Sequence, residues 1–432
     1  MNTMQDDAAL ITIERIAPDG AGETRYRGRT LRVFGMLPGE RGIVGIRKRK
    51  GIYWGILREL YESSPERVLP MDTHHLSSAP WQCMAYSFQA RLKAEILARI
   101  YANVPTAPKP EFIPATAPTG YRTKVEFSVA QEGGALVPAF HERGELRKLL
   151  FAREGTALAS PAMNAAAARL IAHLGFAGYS AGDIKTVVIR ESKATGELLG
   201  VVYFLREHSG IPTEALAEGL SGLLAVYSDP RSPASVATRV LSSCGKRNLI
   251  ERVAGIEFSY SWDAFFQNNV PMYERVLAHM RDALPADVPI LDLYAGVGVI
   301  GIVLSSDGRL AHCVDTVASA VVSAADNAQR AGRTNVTTEL LLAERFPDEG
   351  IAQYPLIIVD PPRAGLHPKL LRTLLRNPPE RLWYLSCNPE TQARDFAVLA
   401  EKFSIDRIVG YDFYPQTPHL ESLLLLSRAP GA

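Results

Sequence analysis

Three textures of hydrophobic and polar positions succeed one another along the 432 residues. From about Leu10 to Leu60, short runs rich in Val, Ile, Tyr and Trp, among them Gly42 to Ile46 and Ile52 to Leu57, alternate with turn signals at Pro18-Asp19-Gly20, Arg27-Gly28, Leu37-Pro38-Gly39-Glu40 and Lys50-Gly51. Strands at that spacing predict a small five-stranded barrel. The second texture is mixed. Phe88, Leu92, Ile96, Leu97 and Ile100 form an apolar stripe that predicts a helix over 86–102. An Ala-rich helix over 161–175 and strands over 124–130, 186–189 and 199–204 complete an α+β region. From about Ile256, strand and helix alternate regularly, the mark of a parallel α/β sheet. The predicted strands there are 290–294, 310–314, 336–341, 356–359 and 381–385, with helices over 318–332 and from Glu390, and with 405–413 and 420–426 finishing the sheet. The fold expected is multidomain α/β, divided into 1–65, 66–255 and 256–432, with the proline-bounded run Ser63 to Pro70 as the first linker.

Composition narrows the classes. Hydrophobic residues make up 47% and charged residues 22%, as in ordinary globular proteins, and no apolar run reaches membrane-spanning length. The N-terminus from Met1 to Asp7 is acidic and lacks the basic and apolar regions of a signal peptide. The four cysteines, Cys83, Cys244, Cys313 and Cys387, have no paired spacing that suggests zinc or a disulfide framework. A reducing cytoplasm is expected, with no membrane partner and a monomeric chain. Net charge is only +1, yet between Arg25 and Lys50 nine basic residues face Glu40 alone, 9 − 1 = +8. A barrel with that charge and with Tyr53 and Trp54 on its surface can neutralise phosphates and stack bases; the alternative is a solvated basic face with those rings in the core.

The chemistry sits in the last segment. Gly296 and Gly298 follow a strand and precede an apolar helix start, so backbone can approach a ligand closely. Asp315 ends the next strand, where a carboxylate can bind ribose hydroxyls, or cap the helix that follows. The cofactor expected at this turn is S-adenosylmethionine in preference to NAD. Asp360-Pro361-Pro362-Arg363 follows an apolar strand at the carboxyl edge of the sheet, where open α/β folds bind ligands; a rigid capped loop is the alternative. Cys387 ends the adjacent strand and Pro389 opens a helix, whose dipole favours a thiolate. A thiolate suits addition to an electron-poor carbon such as C6 of a pyrimidine, being both nucleophile and leaving group. By itself Cys387 reads more readily as a small buried residue, and the flanking motifs reverse that reading. Glu421, in His419-Leu420-Glu421, is either a solvated strand end or a general base.

Taken together, Leu291 to Gly298, Asp360 to Arg363, Ser386-Cys387-Asn388-Pro389, His419 to Glu421 and Phe265-Phe266-Gln267-Asn268-Asn269 resemble the RNA uracil-C5 methyltransferase family. Ala17 to Gly22, Leu37 to Glu40 and Ser64 to Arg67 are similar to the branch with an N-terminal TRAM domain, while the middle region matches loosely through Tyr121 to Lys124 and Phe140 to Arg143. The resemblance implies an OB-like TRAM barrel, a middle α+β domain and a C-terminal class I (Rossmann-like) methyltransferase domain. It implies Cys387 as nucleophile toward C6 of a target uridine, Glu421 as the base that removes the C5 proton, and Gln267, Tyr294, Gly296, Gly298, Asp315 and Asp360 at the S-adenosylmethionine site. Arg363 would hold its loop or a phosphate.

Departures from the family pattern carry expectations too. Many members bind an iron-sulfur cluster through four cysteines, three of them just before Trp-Gln. Here that stretch is Leu76 to Gln82, the later position is Thr156, and Cys83 alone cannot ligate a cluster, so no cluster or other metal is expected. Val299 and Leu342 replace polar residues usual near the cofactor. The substrate expected is a loop or flipped-out uridine of structured RNA, ribosomal RNA first and tRNA second. Methylation of RNA cytosine C5 is opposed by the position of Cys387, which neither directly follows Pro-Pro nor lies in Thr-Cys-Ser-Pro. A catalytically impaired RNA-binding or chaperone protein is the reading from another class.

Overall fold

A computed structural model describes residues 7–49, 51–104, 107–143, 149–232, 234–305 and 308–431. Lys50 of the basic segment and residues 1–6 of the acidic N-terminus lie outside the described residues.

At the front, strands Asp7–Thr12, Arg41–Arg49, Ile52–Glu62, Arg29–Phe34, Gly22–Tyr26 and Arg15–Ile16 lie side by side in that order. The two outermost are one strand bent at Ile13-Glu14. Ile13 bonds both Gly39 and Glu40, and the Glu14 N–H donates to the Glu23 carbonyl at 3.1 Å. One bent strand thus serves both edges and closes a five-stranded barrel, which leaves few unpaired backbone groups. Ile11, Ile13, Leu31, Val33, Met36, Val44 and Ile46 fill it, alternating with outward polar residues as the sequence pattern requires.

Seven strands between Lys124 and Gly245 form a second sheet. The helix Pro161–Phe176 covers one face with Met163, Ala166, Ala167, Leu170, Ile171 and Leu174, which share a stripe at helical spacing. Ser160 caps it, its Oγ accepting from Met163 N at 3.1 Å, and Pro161 takes the first position, where no N–H is missed.

The third large sheet has eight strands in the order Val336–Leu340, Ala311–Asp315, Ile290–Leu293, Leu356–Val359, Arg381–Ser386, Glu421–Arg428, Phe403–Tyr411 and Glu111–Ile113. The first five are parallel, each reached through a crossover, and the three central ones, Ile290–Leu293, Leu356–Val359 and Arg381–Ser386, are buried on both faces, whereas the edge strand Val336–Leu340 is partly exposed. Glu421–Arg428 runs antiparallel to both neighbours because no helix separates it from Phe403–Tyr411. The eighth strand comes from the middle of the chain and pairs parallel with Val409 to Tyr411. Over it lies the helix Tyr86–Tyr101, so close that a Cβ on Gly410 would stand 2.6 Å from Leu97 Cδ2. The strand order reverses between Ile290–Leu293 and Leu356–Val359, and the crevice beyond their carboxyl ends is where such sheets take ligands.

Candidate active site

The chain leaves strand Ile290–Leu293 through Tyr294, whose φ of 65° is unusual for a residue with a side chain, and through Gly296 and Gly298 at 56° and 84°. The turn exposes backbone into the crevice: a Cβ on Gly296 would meet nothing within 4 Å. Asp315 ties this turn to the next strand end, one carboxylate oxygen accepting from Gly296 N at 2.8 Å and the other from Val317 N at 2.9 Å. It therefore both shapes the glycine turn and steadies the start of the following helix, leaving spare lone pairs for a ligand. Beneath the turn, Asp292 is fully buried, accepts from Gly301 N at 2.9 Å, and is pushed up to about 8 by burial.

Gln267 lies on the loop before the helix Val270–Asp282, 6% exposed, with no partner for its side-chain carbonyl. Its surroundings hold it firmly: Thr123 Oγ1 donates to the Gln267 carbonyl, Thr123 N to the Asn268 carbonyl, and Asn269 caps the helix while donating to the Phe413 carbonyl. Buried carbonyls without a donor cost stability, so this fixed orphan side-chain acceptor suits a ligand donor group. Tyr294 is pushed up to about 12 by burial and packs as an apolar wall.

On the other side of the switch point, sheet register does the assembly. Ser386 pairs with Ser422 across antiparallel strands, which sets Cys387 beside Glu421, and the neighbouring parallel strand ends at Asp360. The Arg363 carbonyl accepts from Asn388 Nδ2 and from Thr391 Oγ1, both at 3.2 Å, so the Asp-Pro-Pro-Arg loop and the Cys387 turn are one unit. Tyr273, fully enclosed, feels the charges of Asp360, Asp292 and Glu421 and links the two halves of the crevice.

Electrostatics differ from the sequence expectation at one point. The helix Pro389–Leu399 does start just beyond Cys387, yet the thiol is pushed up to about 11, first by burial and then by Glu421 and Asp360, with Arg363 opposing. Desolvation and two acids thus act against the helix dipole and favour the thiol over the thiolate. Glu421, 2% exposed, is raised well above an ordinary carboxyl by burial and by Asp360, while the Tyr414 hydroxyl and Arg363 pull the other way. His419 is pushed down to about 4 by burial and then by Arg363, Lys93, Arg122 and Arg143, and stands neutral.

Several residues at this site escaped the sequence pattern. The Tyr414 hydroxyl donates to Glu421 Oε1 at 3.3 Å. Lys93 and Asp412 form a pair at 2.6 Å with no exposure on either side, and Lys93 also donates to the Tyr414 carbonyl at 3.0 Å. Lys93 carries the signal that could have revealed it, a cation on the apolar stripe of helix Tyr86–Tyr101. The segment expected to lack a cluster is bound instead through Asp72, which accepts from Gln82 Nε2, Thr156 Oγ1 and Ala157 N at 2.8 to 3.0 Å. The donors there do not fit an iron-sulfur cluster, since the lone Cys83 turns its sulfur to the Pro80 carbonyl. The rings expected to stack bases are partly used: Trp54 lies on Phe34 at 5.5 Å, and Arg143, in the turn after strand Ala135–His141, covers Phe34 at 4.6 Å.

A crevice at the switch point of a Rossmann-like sheet, flanked by Cys387, Asp360 and Glu421, defines a methyltransferase-type fold. Residues 246–429 match the family model described as tRNA (Uracil-5-)-methyltransferase. Over nearly its whole length the chain is similar to a protein of Lactiplantibacillus plantarum described as an uncharacterized RNA methyltransferase, 27% identical over 97% of this chain and 96% of that one. One of Halalkalibacterium halodurans with the same description is 28% identical over 96% and 95%. The fold matches the crystal structure of Pyrococcus abyssi tRNA (uracil-54, C5)-methyltransferase in complex with S-adenosyl-L-homocysteine, with a TM-score of 0.79, 24% identity, and coverage of 97% of this chain and 100% of that one. The C-terminal segment is thus similar to the tRNA (Uracil-5-)-methyltransferase family, and the whole chain to proteins described as RNA methyltransferases.

Proposed function

We propose that the chain methylates C5 of a uridine in structured RNA, using S-adenosylmethionine and a covalent bond between Cys387 and C6 of the base. The observation that carries this is the register that sets Cys387 beside Glu421 at the strand edge next to Asp360. The methyl donor is supported by the orphan Gln267 side-chain oxygen, the open Gly296 turn and Asp315, and by the S-adenosyl-L-homocysteine in complex with the structurally similar Pyrococcus abyssi enzyme. Gln267, Tyr294, Gly296, Gly298, Asp315 and Asp360 would hold it. When bound, S-adenosylmethionine supplies an electrophilic methyl group.

The residues of the chain do the rest. The Cys387 thiol gives its proton to solvent, the resulting thiolate bonds to C6, and the electron pair of the C5–C6 double bond becomes available at C5. After C5 has gained its methyl group, the Glu421 carboxylate takes the C5 proton. The C5–H pair re-forms the double bond and expels the Cys387 thiolate. Asp360 holds the base edge, and Arg363 balances the negative charge that Cys387, Asp360 and Glu421 gather. The barrel, as a TRAM domain, grips RNA with residues such as Arg25, Arg29 and Lys48, and because the base must leave its stack, a loop is the expected target. Ribosomal RNA is the first substrate to test; tRNA is favoured by the name of the matching family model. A cytoplasmic location agrees with the finding that no helix among the described residues is long and apolar enough to cross a membrane.

Tritiated methyl transfer to total RNA tests the reading. The intact chain transfers, Cys387→Ala does not, and Glu421→Gln stalls as a protein–RNA adduct that survives denaturation. No transfer by the intact chain leaves an RNA-binding protein; transfer by Cys387→Ala removes the covalent route.

A further inference from the structure

Resting on the reading of Glu421 as the base, we propose that Tyr414 is its positioning residue, and that the N-terminal half of the chain sets Tyr414 in place. The Tyr414 hydroxyl donates to Glu421 Oε1 at 3.3 Å, and among the described residues it is the side chain that hydrogen-bonds this carboxylate. One oxygen is thereby fixed, leaving Oε2 to meet the C5 proton. Tyr414 itself is enclosed, its ring packed at 6.3 Å from both Phe413 and His419.

The loop that carries Tyr414 is strapped from outside the segment that matches the family model. Lys93 donates to Asp412 and to the Tyr414 carbonyl, and Tyr86 donates to Asp412 at 2.9 Å. The Tyr121 hydroxyl donates to the Pro415 carbonyl at 3.1 Å. Gln89 bonds Gln416 through both ends of its side chain, at 2.8 and 2.9 Å, holding Gln416 at a φ of 66°. Four residues before Lys124 and beyond the barrel therefore converge on residues 412–416. A backbone turn kept in the left-handed region by side-chain bonds has one place to be, and the Tyr414 hydroxyl inherits that precision.

The groups facing Glu421 are Tyr414, Asp360, Arg363, Cys387 and Tyr273, with His419 two residues ahead. Of these, Tyr414 and Arg363 favour the carboxylate, which the base must be when it takes the proton. Removing the hydroxyl takes away one of the two groups that favour the carboxylate, so Glu421 keeps its proton to higher pH. Proton removal then slows at neutral pH and recovers as pH rises.

The test is Tyr414→Phe, which keeps the ring and its packing, assayed for single-turnover methyl transfer to total RNA from cells lacking the chain, across pH, with adduct measured in parallel. The expected result is a roughly 10-fold slower release step at neutral pH, an upward shift of the pH profile, and accumulated adduct, in line with loss of one hydrogen bond to a charged group. A wild-type profile without adduct, or an equal loss at every pH, overturns the proposal. Cys387→Ala and Glu421→Gln run alongside: if Cys387→Ala still transfers or Glu421→Gln forms no adduct, the failure belongs to the assignment of nucleophile and base and not to Tyr414.

Discussion

Side chain by side chain, this site concentrates acids where water is scarce. Cys387 is held near 11 by burial, Glu421 and Asp360, so alkylation of the free protein by iodoacetamide is expected to be slow at about pH 8 and to rise steeply only above it, since the thiolate is the reactive form. Glu421→Gln removes one negative neighbour and lowers that midpoint; an unchanged midpoint would show that burial alone sets it. The candidate residues were legible because each ends a strand of a regular α/β alternation, so sequence spacing alone puts Gly296, Asp315, Asp360 and Cys387 on one edge. Tyr414 was not, because a tyrosine after a strand carries no chemistry until its hydroxyl is seen against Glu421. The acidity of Cys387 departs from the sequence expectation for a related reason: the helix start is visible in Pro389, whereas the two acids beside it come from remote strands.

At the scale of elements, helix Tyr86–Tyr101 shows how a correctly read amphipathic stripe can still hide its purpose. Leu92, Ile96 and Leu97 set its period, but the buried face also carries Gln89 and Lys93, polar residues that only a partner element explains. Lys93 meets Asp412 where neither side chain is exposed, and burial lowers the lysine's pKa while Asp412 opposes that. Lys93→Met is expected to leave Asp412 buried and unpaired and to cost about 3–5 kcal/mol of unfolding free energy, as in other buried pairs. Denaturant melts measure it, and the double variant with Asp412→Asn should recover much of the loss. The strand Glu111–Ile113 was not legible at all, since three residues are too few to show a period of two. The Leu76–Gln82 stretch, by contrast, told its story through missing cysteines, and hydrogen bonds to Asp72 now join the same segments.

Across the whole molecule, three carboxyls, Asp292, Asp360 and Glu421, have folded-state values raised mainly by burial. Each keeps a proton that the unfolded chain releases near pH 4, so the stability they contribute is full in acid and is lost as pH rises, through about 8 for Asp292. Glu421→Gln should therefore raise the melting temperature relative to wild type more at about pH 8 than at about pH 5, while ending turnover. An equal shift at both would mean that Glu421 is ionised at little cost. The order of sheets was legible from texture. What joins them was not, because a contact between distant segments leaves no local period in the sequence.

The Lys93–Asp412 bond spans 319 residues, and the Tyr86–Asp412 bond spans 326. In a chain that folds as it is made, the barrel and the middle sheet can therefore form well before residues 412–416 meet the helix that straps them, so the Glu421 edge is the late part of the fold to be set in place.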